Sequence, residues 1–288
     1  MLLPFGLLLA LCSVLFGYYF AGGEPRLLWQ PYEFVIIAGS GIGSVIVSFP
    51  MKVCFKALRS IMALVHPSLP GKRASLEIVG LMFNLSKLLR AKGVSSIEKH
   101  IDAPEMSPIF QKAPFLLSDK RGLEVICDGL RLLTFGITQA DVVEAAISKQ
   151  ISVYDEEERS SADFYLQLAD ALPAIGIIAA VLGVIIAMKH VGASPEILGG
   201  KIAAALVGTF LGIFLSYIIV APVGHFLHSR ATLRVRFFQL ILKGVVLYLE
   251  GHAPVVIAEL VRGSMADNVR PTFSQSEKYI QENSVKIS

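Results

Sequence analysis

The sequence has little charge, and this excludes several classes of protein. Only 17% of its 288 residues are charged, and 26 basic and 23 acidic residues leave a net charge of +3. A balance so close to neutral, without a basic run interleaved with aromatic residues, gives no indication of nucleic-acid binding. Three cysteines, Cys12, Cys54 and Cys127, form an odd number without metal-ligand spacing and are typical of reduced, partly buried thiols.

Motifs for catalysis and cofactor binding are also missing. The sequence has no phosphate-binding loop, no dinucleotide-binding glycine motif after a strand, no nucleophile elbow and no His-Glu-x-x-His. His225 and His228 lie three residues apart, but two ligands without a third make a weak metal site, and histidines at a membrane interface are the simpler interpretation. We therefore expect no enzyme activity, no cofactor and no bound metal.

What the sequence has in quantity is apolar residues, which make up 54% of the chain and are concentrated in blocks. A helix needs roughly 20 apolar residues to cross the hydrocarbon core of a bilayer. Four blocks approach this length: Leu2–Phe20, Phe34–Met51, Asp170–Met188 and Ile202–Gly224. A signal peptide is the alternative for the first block, but that block has no basic start and no Ala-x-Ala site. We predict an all-α polytopic membrane protein with four transmembrane helices.

The distribution of charge predicts the topology. Two loops, residues 21–33 and 191–200, are short, whereas Lys52, Lys56 and Arg59 directly follow the second block. By the positive-inside rule, the long middle segment, the tail and the N-terminus are cytoplasmic. The predicted segments are two spans in 1–51, a helical cytoplasmic domain in 52–169, two spans in 170–224 and a cytoplasmic helix with a tail in 225–288.

The middle segment shows the periodicity of amphipathic helices. One helix is expected to begin near Ser75 and to end at Gly93, which is a plausible C-cap. The acidic run Asp155–Glu158 is placed on a helix that leads into the third span, and its simplest interpretation is a solvated face.

Small residues recur on one face of each inner span. Lipid offers no hydrophobic drive for the association of membrane helices, so these helices associate through close packing. Small residues allow the helix backbones to approach closely enough for that packing. Packing within one subunit accounts for part of these faces, and we expect the rest to meet other chains. The two sets are Gly176, Ala180, Gly183 and Ala187 in the third span, and Ala205, Gly208, Gly212 and Ser216 in the fourth.

Neither inner span carries an ionisable group at membrane depth, although ion conduction normally needs one. A partner would therefore have to bring the acid. Thr209 and Ser216 either bond back to a carbonyl or face a wet path, and for Thr209 we favour the bond. Pro173 is expected in the first turn of the third span and Pro222 near the end of the fourth. The two prolines either mark the ends of helices or act as hinges within the spans.

Three stretches resemble one known family over almost the whole chain. "QPYEFVIIAGSGIGSVIV", "DALPAIGIIAAVLGVIIAM" and "AALVGTFLGIFLSYIIVAPV" are similar to the second, third and fourth spans of the motility protein A (MotA) family, and "GHAPVVIAELVR" followed by "RPTF" matches its tail. This is the larger stator subunit of the bacterial flagellar motor, within the wider MotA/TolQ/ExbB proton channel family.

The resemblance implies a mechanism and assigns residues to it. A ring of five subunits around two copies of a single-span MotB-like partner, which supplies a membrane Asp, conducts protons inward across the cell inner membrane and turns the rotor protein FliG. By position, Arg90 and Glu98 match the charged pair that contacts the rotor, and Pro173 and Pro222 match the prolines that couple ion flow to torque. Ala180 and Thr209 match ion-path positions, and Ala180, where sodium-driven relatives tend to have Thr, favours protons.

Two other functions remain open from the sequence. An ExbB/TolQ-like subunit that energises outer-membrane processes has fewer spans and less cytoplasmic mass. A non-conducting membrane scaffold would use the small-residue faces to hold other helices. A scaffold would give no proton flux when the partner is co-expressed. An ExbB/TolQ-like subunit would not restore motility to a strain without stators.

Overall fold

A computed structural model describes residues 2–65 and 69–285, and this part of the chain is helical without a strand. The all-α prediction is therefore confirmed. Residue 1, residues 66–68 in the predicted cytoplasmic domain and residues 286–288 of the predicted tail lie outside the described residues.

The helices of the first half are mostly short. They are α1 Leu2–Phe20, α2 Pro25–Leu28, α3 Pro31–Ser48, α4 Met51–Ser60, α5 Met62–Val65, α6 Lys72–Lys92, α7 Glu98–Asp102, α8 Pro114–Ser118 and α9 Lys120–Thr134. Short 3-10 turns lie at Val94–Ile97, Pro104–Met106 and Phe110–Lys112.

The helices of the second half include the two longest. They are α10 Ala140–Met188, α11 Pro195–Phe214, α12 Ala221–Leu249, α13 Pro254–Gly263 and α14 Phe273–Asn283, and the π-helical turn Leu215–Val220 joins α11 to α12.

Three helical stretches of the described residues are long and apolar enough to cross a membrane. They are Pro25–Ser48, Ala140–Met188 and Pro195–Leu249, and Pro4–Phe20 is a shorter apolar helix. The second predicted block ends as a helix at Ser48, because Phe49 is extended before Pro50, as a residue that precedes proline usually is.

Both inner helices exceed their predicted bounds. The acidic run Asp155–Glu158 was expected on a helix that leads into the third span, and α10 contains both; it begins at Ala140, 30 residues before the predicted start of the span, and places Pro173 inside the helix. The fourth block was expected to end at Gly224, but the helix runs from Pro195 through the π turn into α12 and ends at Leu249. In both places the sequence changes between an amphipathic and a wholly apolar helical pattern. Such a change alters which faces of the helix are apolar but does not require a break in the helical backbone.

The chain divides into two compact units, Met1–Ser68 with Glu158–Ser229 and Leu69–Glu157 with Arg230–Ser288. In the first unit, Ile37, Leu172 and Ala179 form a small apolar cluster that joins α3 to α10. A second small cluster contains Ala57, Ala162, Tyr165, Val223 and Leu227. Many large apolar side chains of this unit are exposed, including Phe34, Ile178 and Leu206, as expected of a surface that faces lipid.

The second unit has a conventional core built around α6. Helices α13 and α14 pack against α6, and the fully buried side chains include Ile78, Phe110 and Phe238. Helix α6 ends at Gly93, which has φ +75° and donates its backbone N–H to the Leu89 carbonyl. The predicted C-cap is therefore confirmed, since glycine adopts a positive φ at little cost.

Candidate functional site

The candidate site is built on the close contact between α10 and α11. A β-carbon added at Gly176 would lie 2.9 Å from the Cα atom of Gly212, and one added at Gly212 would lie 2.7 Å from the Leu172 carbonyl oxygen. A β-carbon at Gly183 would lie 2.7 Å from the β-carbon of Ala205. These glycines therefore allow two membrane helices to touch through their backbones.

The small-residue faces meet each other within one chain. A β-carbon at Gly208 would lie 3.1 Å from the Ala180 backbone nitrogen, and Ala180 is 9% exposed. The expectation that part of these faces meets other chains is therefore wrong for the four glycines, because the α10–α11 contact already occupies them. The large exposed side chains of the same helices, such as Ile178, remain available to neighbours.

Pro173 lies in the interior of α10, which corrects its predicted place in a first turn. Proline has no N–H, so the carbonyl four residues before it, that of Ala169, loses its helical donor. The Ser216 hydroxyl donates a hydrogen bond of 2.6 Å to this carbonyl, and Ser216 is 1% exposed. Ser216 does bond a carbonyl, but on another helix, and it satisfies the acceptor that Pro173 leaves open.

Pro222 is the second residue of α12 and lies one residue after the π-helical turn Leu215–Val220. A proline ring inside a helix clashes with the carbonyl four residues earlier, here that of Ile218, which lies in the wider turn. π-Helical turns inside helices are frequent at functional sites. Ser216 belongs to the same turn, so its hydrogen bond connects the π turn before Pro222 to the carbonyl that Pro173 leaves without a helical donor.

The Thr209 hydroxyl was expected to donate a hydrogen bond to a carbonyl of its own helix, and the structure shows no such bond in the described residues. Thr209 is half-buried, and no carbonyl of residues 2–65 or 69–285 accepts a hydrogen bond from it. The hydroxyl is therefore available to a group outside this chain.

Glu33 is a site residue that reasoning from sequence missed, because it was placed in the outer loop. It lies in the first turn of α3, and its carboxylate reaches the α10–α11 contact. A β-carbon at Gly208 would lie 2.9 Å from Glu33 Oε2, and one at Gly183 would lie 3.3 Å from Oε1. The inner spans themselves carry no such group, and the carboxylate at their contact comes from α3. Pro31, a frequent residue at helix starts, was the available signal that the helix begins before Glu33.

Charged residues of the first unit form pairs where α4, α10 and α12 meet. Lys56 Nζ lies 3.0 Å from Glu158 Oε1, and Arg159 Nη1 lies 2.7 Å from His228 Nε2. The acidic run of α10 is therefore partly paired rather than only solvated. His225 is exposed, and the described residues contain no group of three side chains that could hold a metal ion.

Arg90 and Glu98 lie in the second unit and are both exposed. Arg90 is in the last turn of α6, and its Nη2 atom lies 3.4 Å from the Gly251 carbonyl oxygen. Glu98 begins α7, after the turn at Gly93. The structure thus places this pair in one unit, and Pro173, Pro222, Ala180 and Thr209 in the other.

Buried titratable groups of the second unit have structural partners. The Glu77 carboxylate accepts the Phe115 N–H at 2.8 Å, and burial raises its pKa. His100 Nδ1 lies 2.8 Å from Ser107 Oγ, and burial, with Lys99 nearby, lowers the pKa of the imidazole. Burial raises the pKa of the Cys127 thiol to about 12, so this cysteine is an inert core residue.

Comparison with known proteins finds two family models that match separate parts of the chain. Residues 4–93 match the family model for the motility protein A N-terminal region, and residues 122–239 match the model for the MotA/TolQ/ExbB proton channel family. Motility protein A of Escherichia coli K12 is 34% identical over 281 residues, which cover 98% of this chain and 95% of that relative.

Two solved structures share the fold. The structure of MotAB from C. jejuni aligns with a TM-score of 0.78 at 19% identity and covers 94% of this chain and 98% of that chain. The structure of the flagellar MotAB stator complex from Bacillus subtilis aligns with a TM-score of 0.70 at 23% identity, with coverages of 89% and 92%.

The match to the N-terminal model distinguishes this chain from subunits that share only the proton-channel model. The activity of this family is proton conduction rather than catalysis. Because a relative 34% identical aligns over almost the whole chain, the chain belongs to the motility protein A family, the proton-channel subunits of the flagellar stator.

Proposed function

We propose that this chain crosses the cell inner membrane four times, through α1, α3, α10 and the helix that begins with α11, with both termini in the cytoplasm. The lysines and arginines that follow the second span, Lys52, Lys56 and Arg59, support this orientation. In this arrangement the first compact unit lies in and next to the membrane, and the second unit lies in the cytoplasm.

The proposed channel forms with a MotB-like partner, which contributes a single span with an Asp, inside a ring of five copies of this chain. The observation that carries the proposal is the glycine contact between α10 and α11, which presents Ala180 and the unbonded Thr209 hydroxyl beside Gly208. The contact itself occupies the glycines, so a partner helix packs beside it, where Thr209 offers a hydroxyl.

The proposed torque step uses the two prolines and the charged pair. Protonation of the partner's Asp changes how the partner packs on the inner helices, and Pro173 and Pro222 are the hinges that respond. The Ser216–Ala169 hydrogen bond supports this role, because it connects the π turn before Pro222 to the helical turn that precedes Pro173. Arg90 and Glu98 then act on the rotor protein FliG, where exposed charges steer association and orientation.

Co-expression of the full chain with a single-span partner that bears a membrane Asp tests the proposal. Purified complex in proteoliposomes should carry protons down an imposed gradient, and the same complex with the partner's Asp changed to Asn should not. The pair should also restore swimming to a strain without stators. An intact complex that passes no protons would contradict the channel, and flux without rescue of swimming would contradict the torque step.

A further inference from the structure

Glu33 extends from the first turn of α3 and places a carboxylate against the contact between α10 and α11. Gly208 lies 13 residues into α11 and Gly183 five residues before the end of α10, or about 20 Å and 8 Å along the two helices. Because β-carbons at these positions would lie 2.9 Å and 3.3 Å from the Glu33 oxygens, the two glycines leave the space that the carboxylate occupies.

Within the described residues, no donor pairs with Oε2 of the Glu33 carboxylate in this space. Its Oε2 atom is inaccessible to solvent and has no hydrogen-bond partner in the described part of the chain. No ion pair joins it to the charged or titratable residues of the elements around it, which are Arg26, Lys189, His190, Glu196 and Lys201. A buried carboxylate oxygen without a donor is costly when ionised, and an ionisable side chain inside a membrane segment usually marks an ion path.

We infer that Glu33 is a proton-binding carboxylate of the channel, contributed by this chain in addition to the acid of the partner. The inference rests on the proposed function. Glu33 takes up a proton from water on the outer side and becomes a neutral carboxyl group. It then releases the proton toward the partner's Asp and is ionised again, so that charge and protons balance over one cycle.

The neighbouring groups fit this role better than a purely structural one. A structural carboxylate is normally held by donors, whereas Glu33 Oε2 faces glycine and alanine backbone. Ala180, whose backbone nitrogen lies beside Gly208, offers no side-chain oxygen to coordinate a dehydrated metal cation. A proton needs only one carboxylate oxygen, and Glu33 Oε2 provides it without a competing donor.

Proton flux into proteoliposomes that contain the complex of the full chain with its partner tests this inference. Glu33→Gln keeps the size of the side chain but cannot take up a proton, and flux should fall about 100-fold, as when a positioned proton-transfer group is removed. Glu24→Gln is the matched control, because Glu24 is an exposed acid before α2. Co-purification of chain and partner establishes that each variant assembles.

Glu33→Asp provides a second measurement that does not depend on assembly of the Gln variant. It still titrates but has a shorter reach, so the dependence of flux on outer pH should be displaced from that of the wild type. Unchanged flux in assembled Glu33→Gln, or an unchanged pH profile in Glu33→Asp, would overturn the inference. Absence of flux in the wild-type complex would instead contradict the proposed function.

Discussion

At the scale of single residues, Ser216 is the side chain that makes an internal proline tolerable in α10. Its hydroxyl donates to the Ala169 carbonyl, which Pro173 leaves without a helical donor. A hydroxyl on one helix thus replaces a backbone N–H missing from another. The pairing stabilises the segment in which the proposed hinge lies.

Ser216→Ala should therefore lower both stability and torque. The buried Ala169 carbonyl would lose its donor, at a cost of about 1–3 kcal/mol. We expect a lower unfolding temperature of the purified complex and slower swimming at equal stator abundance. Ser13→Ala is the control, since Ser13 bonds the Leu9 carbonyl of its own exposed helix. Equal unfolding temperatures for the Ser216 variant and the wild type would refute the role assigned to this hydroxyl.

Glu77 predicts a pH dependence of stability in the second unit. Burial raises the pKa of this carboxyl above its ordinary value of 4.5, although the Phe115 N–H and Arg73 act in the opposite direction. The folded state then binds the proton more tightly than the unfolded state, so stability is lost as pH rises through the raised pKa.

Glu77→Gln should remove that loss. The wild type and the variant are expected to differ least in unfolding temperature near pH 4.5 and increasingly as the pH rises above it, with the variant more stable. Glu282→Gln, at an exposed position of α14, should follow the wild type throughout. A difference between Glu77→Gln and the wild type that stays constant with pH would show that the carboxyl does not titrate in this way.

At the scale of elements, the α10–α11 contact depends on glycine at particular positions. Gly212→Ala would place a β-carbon 2.7 Å from backbone atoms of Gly176 and Leu172, and backbone cannot move aside as a flexible side chain can. Overpacking of this kind costs about 1–3 kcal/mol. We expect less purified complex and lower proton flux.

Gly43→Ala is the matched control for this prediction. Gly43 lies in α3 and has open space within 4 Å of an added β-carbon, so the same substitution should leave assembly and flux unchanged. If both variants assemble and conduct equally, glycine at position 212 is not needed for close approach.

The elements could be predicted from sequence where the signal was local. The end of α6 at Gly93 follows from one residue that tolerates a positive φ, and the apolar blocks follow from their length. The predicted start of the third span at Asp170 is not the start of a helix, because the change there from an amphipathic to an apolar pattern resembles a boundary although α10 continues through it. Pro173 strengthened that error, since proline is common in first turns.

The remaining parts of the site depend on contacts that no local pattern records. Ser216 and Ala169 are 47 residues apart in sequence, and Glu33 meets Gly183 and Gly208 only after three helices have packed. Propensity and periodicity describe how one segment presents its faces, not which atoms of a distant segment meet them. Such contacts became visible only in the folded chain.

At the scale of the whole molecule, the two compact units separate two tasks. The residues of the proposed ion path, Ala180 and Thr209, belong to the first unit, and Arg90 and Glu98 belong to the second. Each unit has its own apolar clusters. A change in exposed charge on the second unit should therefore affect torque without affecting the channel.

Glu98→Lys tests this separation. Glu98 is exposed and forms no ion pair with the described residues. Its reversal should therefore change the free energy of unfolding by no more than about 0.5 kcal/mol. We expect swimming of a stator-less strain to be lost while proton flux in proteoliposomes stays at the wild-type level. Lys278→Glu, an exposed reversal on α14 of the same unit, should preserve both activities. Loss of flux together with swimming in Glu98→Lys would mean that the second unit also controls the channel, and normal swimming would remove Glu98 from the rotor contact.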